Sequence, residues 1–326
     1  MVRSMTHQVA VDRYSVTPVA PHRPLRVGVQ LPEVEREVRW PELLDMARLA
    51  EEIGLDGLWV GEHLLYRFAD GTTRGPWEAW SLMAALSAAT TRIRIGPLVA
   101  CTAFHNPAIL AKQADTLDEL SGGRFVLGLG AGWNETEFRA FGIPFDRRIA
   151  RFEEAWTIIT TLLRDGSIDF EGRFHTARDC ELVPRGPTPG GPPILIGSSG
   201  ERMLRITMPG ADAWNAWYAD TGNHPDGVEP LRRRVDAACA AAGRPPRTVA
   251  RTVAVLVRLP GGSGRVMGDA SEVMQVAPLE GPPEAIADGL RAYAAAGIGE
   301  VQLVLDPISR ESIAALRPVL RLLEQP

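Results

Sequence analysis

Three short stretches gather side chains able to do chemistry. Glu62 and His63 end an apolar run in GLWVGEHLL. A histidine there is either a hydrogen-bonded structural residue or a group that moves protons near neutral pH. Gly197, Ser198, Ser199 and Gly200 follow the run PILI and precede a helical pattern. Free backbone N–H groups, the positive end of a helix and two hydroxyls favour a phosphate there, because four small polar residues exceed what one N-cap needs. Gly128, Gly130 and Gly132 alternate in FVLGLGAGWNETEF. Their GxGxG spacing is not the GxGxxG of a dinucleotide fingerprint, so they mark either ligand contact or the close approach of a neighbouring backbone.

Two further groups are ambiguous. Arg147, Arg148 and Arg151, with Glu153 and Glu154 behind them, form either a solvated helix face or the source of one guanidinium fork for a phosphate. Trp133, Trp214 and Trp217 lie at strand ends and serve either as a pocket wall or as packing. No HExxH, GxSxG, Walker loop or clustered metal-ligand set occurs. Hydrolase and metalloenzyme readings therefore have no residues to stand on, no metal is expected, and the chemistry points to a bound cofactor.

The elements that must position these residues repeat. A short apolar run followed by an amphipathic segment recurs eight times from residue 25, from LRVGVQL with WPELLDMARLAEEIG to EVQLVLD with ESIAALRPVLRLLEQ. Asn106 and Pro107 have the chemistry of an N-cap and first helical residue. The pattern predicts one α/β domain over 25–326, a (β/α)8 TIM barrel with a site at the C-terminal ends of its strands. A Gly- and Pro-rich insertion at 166–192 follows the fourth helix and reads as a loop. Residues 1–24 read as a loose leader without structure of its own.

Bulk properties narrow the partners. A chain of 326 residues with formal charge −5 has no basic field for nucleic acid. WSLMAALSAA is too short to span a membrane. Three separated cysteines, Cys101, Cys180 and Cys239, form no disulfide framework and fit the cytoplasm.

Taken together, SGGRFVLGLGAGWNETEFRAFG, GEHLL, RRIARFEEAW, FEGRFHTARDCELVPRG and PPILIGSSGERMLR with ADAWN resemble the bacterial luciferase-like superfamily of flavin-dependent monooxygenases. The resemblance covers about residues 25–220, more weakly to the end, and implies a homodimeric barrel binding reduced FMN, or in one branch coenzyme F420. It implies that His63 is an active-site base with Glu62 beside it, and that a cis peptide joins Leu98 to Val99 beneath the ring. Gly128 and Gly130 fall at ring-contacting positions, Glu137 and Arg148 at a polar pair near the ribityl and phosphate end, and Ser199 at a phosphate-binding serine. The implied reaction uses reduced FMN from a separate reductase and O2 to oxidise a small organic substrate, under the insertion and the loop at 260–281. F420-dependent hydride transfer and a non-catalytic flavin-binding barrel are the alternatives.

Overall fold

Parallel strands covered on both faces read as short, continuous apolar runs, and the computed structural model forms its sheet from such runs; it describes residues 13–14, 23–265, 267 and 276–325. In chain order the elements are β1 (Arg26–Gln30), α1 (Trp40–Glu52), β2 (Gly57–Val60), β3 (Tyr66–Arg67), β4 (Thr73–Arg74), α2 (Ala79–Ala89), β5 (Arg94–Pro97), β6 (Ala100–Cys101), α3 (Pro107–Ser121) and β7 (Leu127–Gly130). They continue with α4 (Glu135–Ala140), α5 (Arg148–Asp165), β8 (Ser167–Glu171), β9 (Thr176–Glu181), β10 (Ile194–Ile196), α6 (Glu201–Thr207), β11 (Ala213–Ala216) and α7 (Val228–Ala241). The last are β12 (Ala250–Arg258), β13 (Leu279–Glu280), α8 (Pro283–Ala295), β14 (Glu300–Asp306) and α9 (Arg310–Leu323).

The strands run in the order β5-β2-β1-β14-β12-β11-β10-β7-β6, all parallel, and a bridge from Ile95 to Phe125 joins the two ends. β5 and β6 are two halves of the third barrel strand, separated by the cis Leu98–Val99 peptide. β5 pairs with β2 and β6 with β7. The closed (β/α)8 barrel expected from the sequence is therefore present. Helix boundaries follow the cap chemistry: Asn106 Oδ1 accepts from the N–H groups of Ala108 and Ile109, and Gly122 ends α3 in the left-handed region.

The core has two layers. Strand residues facing outward pack under the helices, while Trp59, Val126, Leu195, Ala213, Ala254 and Val304 fill the barrel interior. Tyr14 joins that interior cluster with 1% of its surface exposed, and the Arg94 guanidinium lies 5.0 Å from its ring. The segment read as a loose leader thus includes a docked residue; residues 1–12 and 15–22 lie outside those described. The insertion read as a loop contains an antiparallel hairpin, β8 with β9. β3 and β4 form a second small hairpin after the second strand.

Gly128 is required by the barrel wall itself. A Cβ there would sit 2.1 Å from the Pro97 carbonyl oxygen, a backbone atom that cannot move aside. At Gly200 the nearest atom to such a carbon is the Ser198 hydroxyl at 3.9 Å. Gly128→Ala is expected to lower unfolding free energy by about 1–3 kcal/mol, through overpacking against fixed backbone. Gly200→Ala should leave it nearly unchanged, and urea denaturation of both variants checks the contrast.

Candidate active site

The C-terminal ends of the strands open into a cavity of 420 Å³, within the ~300–1,000 Å³ typical of small-molecule sites. Its apolar wall includes Leu98, Val99, Ile149, Met203, Trp217 and Met267. His63, three residues beyond β2, stands at one side between carboxylates delivered by two other segments. Its Nδ1 lies 3.0 Å from Glu137 Oε1, on α4, and its Nε2 lies 3.7 Å from Glu33 Oε1, beyond the end of β1. The second Glu137 oxygen accepts the Leu64 N–H at 2.8 Å, which locks the carboxylate against the loop carrying His63.

Glu33 is itself held on several sides. Tyr66 donates its hydroxyl to Oε1 at 2.6 Å, Gln30 donates Nε2–H to Oε2 at 2.8 Å, and Arg265 reaches Oε2 at 3.3 Å. Arg265 also pairs with Glu35 at 2.6 Å and its guanidinium lies 5.5 Å from the Trp217 ring. Burial lowers the proton affinity of His63, yet Glu33 and Glu137 outweigh it and hold the imidazole pKa above its ordinary value. Burial also pushes the Tyr66 hydroxyl far above its usual range, with Glu33 adding to the effect, so it remains a donor. His63 is thus held between two carboxylates that favour its protonated form.

Glu62 is separate from this group. Its Oε1 accepts from Trp80 Nε1 at 2.7 Å and lies 2.8 Å from His105 Nε2, while its Oε2 accepts the Cys101 N–H at 2.7 Å. It ties β6 and α2 together and is not the partner of His63, although its side chain borders the cavity. Glu137, which borders the cavity as Arg148 does, is bonded to His63 and to the Leu64 N–H.

The remaining sequence candidates divide clearly. Leu98, Val99, Gly130, Arg148, Gly197 and Ser198 line the cavity. Gly128, Ser199 and Gly200 do not; Gly128 is buried in the wall beside Pro97 and Val99. Ser199 Oγ is buried without a partner, so the GSSG turn carries an unspent hydroxyl suited to an anion. Arg148 donates to the Gly132 carbonyl oxygen and lies against Phe145, 4.1 Å from its ring. Arg151 turns to Asp146 and Phe174 instead. Trp133 and Trp217 border the cavity, whereas Trp214 packs outside the barrel and donates Nε1–H to the Ser198 carbonyl at 2.9 Å.

Sequence reasoning missed Glu33, Tyr66, Asn215 and Arg265. An acidic residue just past the first strand was the available signal for Glu33. Among the described residues no cluster of three or more His, Cys, Asp or Glu could hold a metal ion, and no helix is long and apolar enough to cross a membrane. Of the loop at 260–281, residues 266 and 268–275 lie outside those described.

A closed (β/α)8 barrel with a largely apolar cavity and a carboxylate-flanked histidine at its C-terminal face has the form of a barrel-enzyme site for a small molecule. The profile of the luciferase-like monooxygenase family matches residues 25–260, and the chain belongs to that family. The 5,10-methylenetetrahydromethanopterin reductase of Archaeoglobus fulgidus is 30% identical over 208 residues, 64% of this chain and 57% of that protein. Pyrimidine monooxygenase RutA of Cronobacter turicensis is 34% identical over 172 residues, 51% of this chain and 44% of that protein. An F420-dependent glucose-6-phosphate dehydrogenase of Amycolatopsis mediterranei is 34% identical over 179 residues, 53% of this chain and 52% of that protein. The chain spans about half the length of the curated relatives it matches. A solved F420-dependent secondary alcohol dehydrogenase, in complex with an F420–acetone adduct, shares the fold at TM-score 0.77 and 19% identity over 92% of this chain and 99% of that one. Monooxygenase RslO1 of Streptomyces bottropensis does so at 0.75 and 20%, over 91% and 99%.

The clamp makes a signed prediction. A histidine pKa raised on folding gives stability that is fully present below the unfolded value of ~6.5 and is lost as pH rises through the folded value. The stability gap between the wild type and Glu137→Gln is therefore expected to be widest near pH ~5.5–6.5 and to narrow as pH rises further. Urea unfolding at a series of pH values measures it; a gap that is flat or widens with pH contradicts the clamp.

Proposed function

We propose that this chain is a flavin-dependent monooxygenase that takes reduced FMN from a separate reductase and uses O2 to oxidise a small organic substrate. The observation carrying the reading is the largely apolar cavity with His63 held beside it between Glu33 and Glu137. Bound there, reduced FMN supplies the electrons and the oxygen-activating ring. Leu98, Val99 and Gly130 offer a close surface for that ring, and Ser198 and Arg148, which border the cavity, would hold its phosphate. The aliphatic wall and Trp217 exclude water, which strengthens every charge interaction inside. Glu137 holds the Nδ1 proton of His63, while Nε2 lies too far from Glu33 for a direct hydrogen bond and keeps its proton for a ligand.

Supporting a second reading, hydride transfer with F420, is a further pocket of 490 Å³ that shares Arg148 and Ile149 with the cavity and adds Arg147 and Arg202. Those guanidinium groups suit an anionic tail longer than one phosphate. The F420-dependent relative from Amycolatopsis supports it as well. Anaerobic titration with reduced FMN and with reduced F420, followed by O2, separates the readings. The first expects saturable binding of reduced FMN and oxygen-dependent product; affinity for F420 alone transfers the assignment to the second. A homodimer in the cytoplasm completes the proposal, with Ile109 and Leu120 on α3 exposed for a second copy to cover.

His63→Ala is expected to lower kcat by ~10²–10⁴, the usual worth of a positioned proton donor, with cofactor affinity kept. Arg148→Ala is expected to act on the other parameter, weakening cofactor binding by roughly tenfold or more through loss of a charge-assisted bond. Stopped-flow turnover and equilibrium titration distinguish the two; loss of binding in the His63 variant would sink the division of labour.

A further inference from the structure

Asn215 stands on the interior face of β11 and borders the cavity, with 5% of its surface exposed. Both of its amide N–H bonds are spent. Nδ2 donates to Thr252 Oγ1 at 2.8 Å and to Gln302 Oε1 at 2.7 Å. Neither acceptor is free to change roles. The Thr252 hydroxyl donates its single proton to the Trp214 carbonyl at 3.2 Å, and Gln302 turns its Nε2–H toward Glu300 Oε1 at 3.5 Å. Glu300 in turn pairs with Arg94 at 3.4 Å, at the opposite end of the barrel.

This chain of bonds has one polarity. Reversing the Asn215 amide would bring its oxygen against Gln302 Oε1, two acceptors at contact distance, and would leave Thr252 without its donor. The oxygen Oδ1 has no partner among the described residues. A fixed, acceptor-only group therefore remains at the cavity wall.

We propose that Asn215 is a specificity-determining residue, selecting ligands that present an N–H or O–H donor to the cavity floor and rejecting those that present an acceptor or a methyl group there. The inference rests on the cavity being a ligand site, not on which cofactor occupies it. A buried acceptor left unmatched is costly, so such sites discriminate more sharply by hydrogen bonding than by size.

The test uses the full chain labelled with ¹⁵N and two matched pairs of probes, uracil with 1,3-dimethyluracil and phenol with anisole. Members of each pair share a ring and differ in the donor. Uracil and phenol are expected to shift the Asn215 side-chain amide resonances and to bind at least tenfold more tightly than their methylated counterparts. Asn215→Leu should lose the preference, with circular dichroism verifying its fold. Equal or tighter binding of the methylated probes, no shift of the Asn215 resonances by any probe, or an unchanged preference in folded Asn215→Leu would each overturn the proposal. The wild-type comparison decides the matter even where a variant fails to fold. Titration of the same samples with reduced FMN and reduced F420 reports separately on the cofactor reading.

Discussion

A half-buried imidazole between two carboxylates is the constraint around which the site is built. Moving a positive ring out of water is unfavourable, and the nearby carboxylates, Glu33 first and then Glu137, with Glu62 adding to them, reverse that balance. Each carboxylate then needs its own support, which Tyr66, Gln30 and Arg265 give to Glu33 and the Leu64 N–H gives to Glu137. Elements from distant parts of the chain are thereby fixed to one another at the barrel mouth. The fold supplies the remainder: a closed ring of parallel strands brings the ends of β1, β2 and β7 to one face.

Much of this architecture was legible in the sequence. Strands such as PILI are buried on both faces, so their apolar runs are continuous, and the helices between them carry cap residues that do local work, as Asn106 and Pro107 do. The GSSG turn and His63 were legible because strand ends of a barrel are where polar residues stand out against apolar runs. The cis Leu98–Val99 peptide followed from the family resemblance rather than from any local pattern.

Other features depend on contacts between residues far apart in sequence. His63 and Glu137 are 74 positions apart, and nothing in either segment announces the other; adjacency made Glu62 look like the partner. Gly128 resembled a ligand contact because a glycine needed for backbone packing carries the same letter as one needed for a ring. The β8–β9 hairpin is largely exposed, with a shift in register between Ile168 and Phe170; SIDFE alternates but TARDCE does not, so only one of its strands carries the pattern. Tyr14 is a lone aromatic whose burial depends on an opening formed by eight separate strands.

The site turns on the charge of one ring, which ¹⁵N NMR of labelled His63 reads directly. At pH 6.5, where an unperturbed histidine is about half protonated, both Nδ1 and Nε2 are predicted to resonate as protonated nitrogens of a predominantly cationic imidazole. A spectrum with one nitrogen unprotonated in most molecules at that pH would contradict the clamp and the role assigned to Glu33 and Glu137.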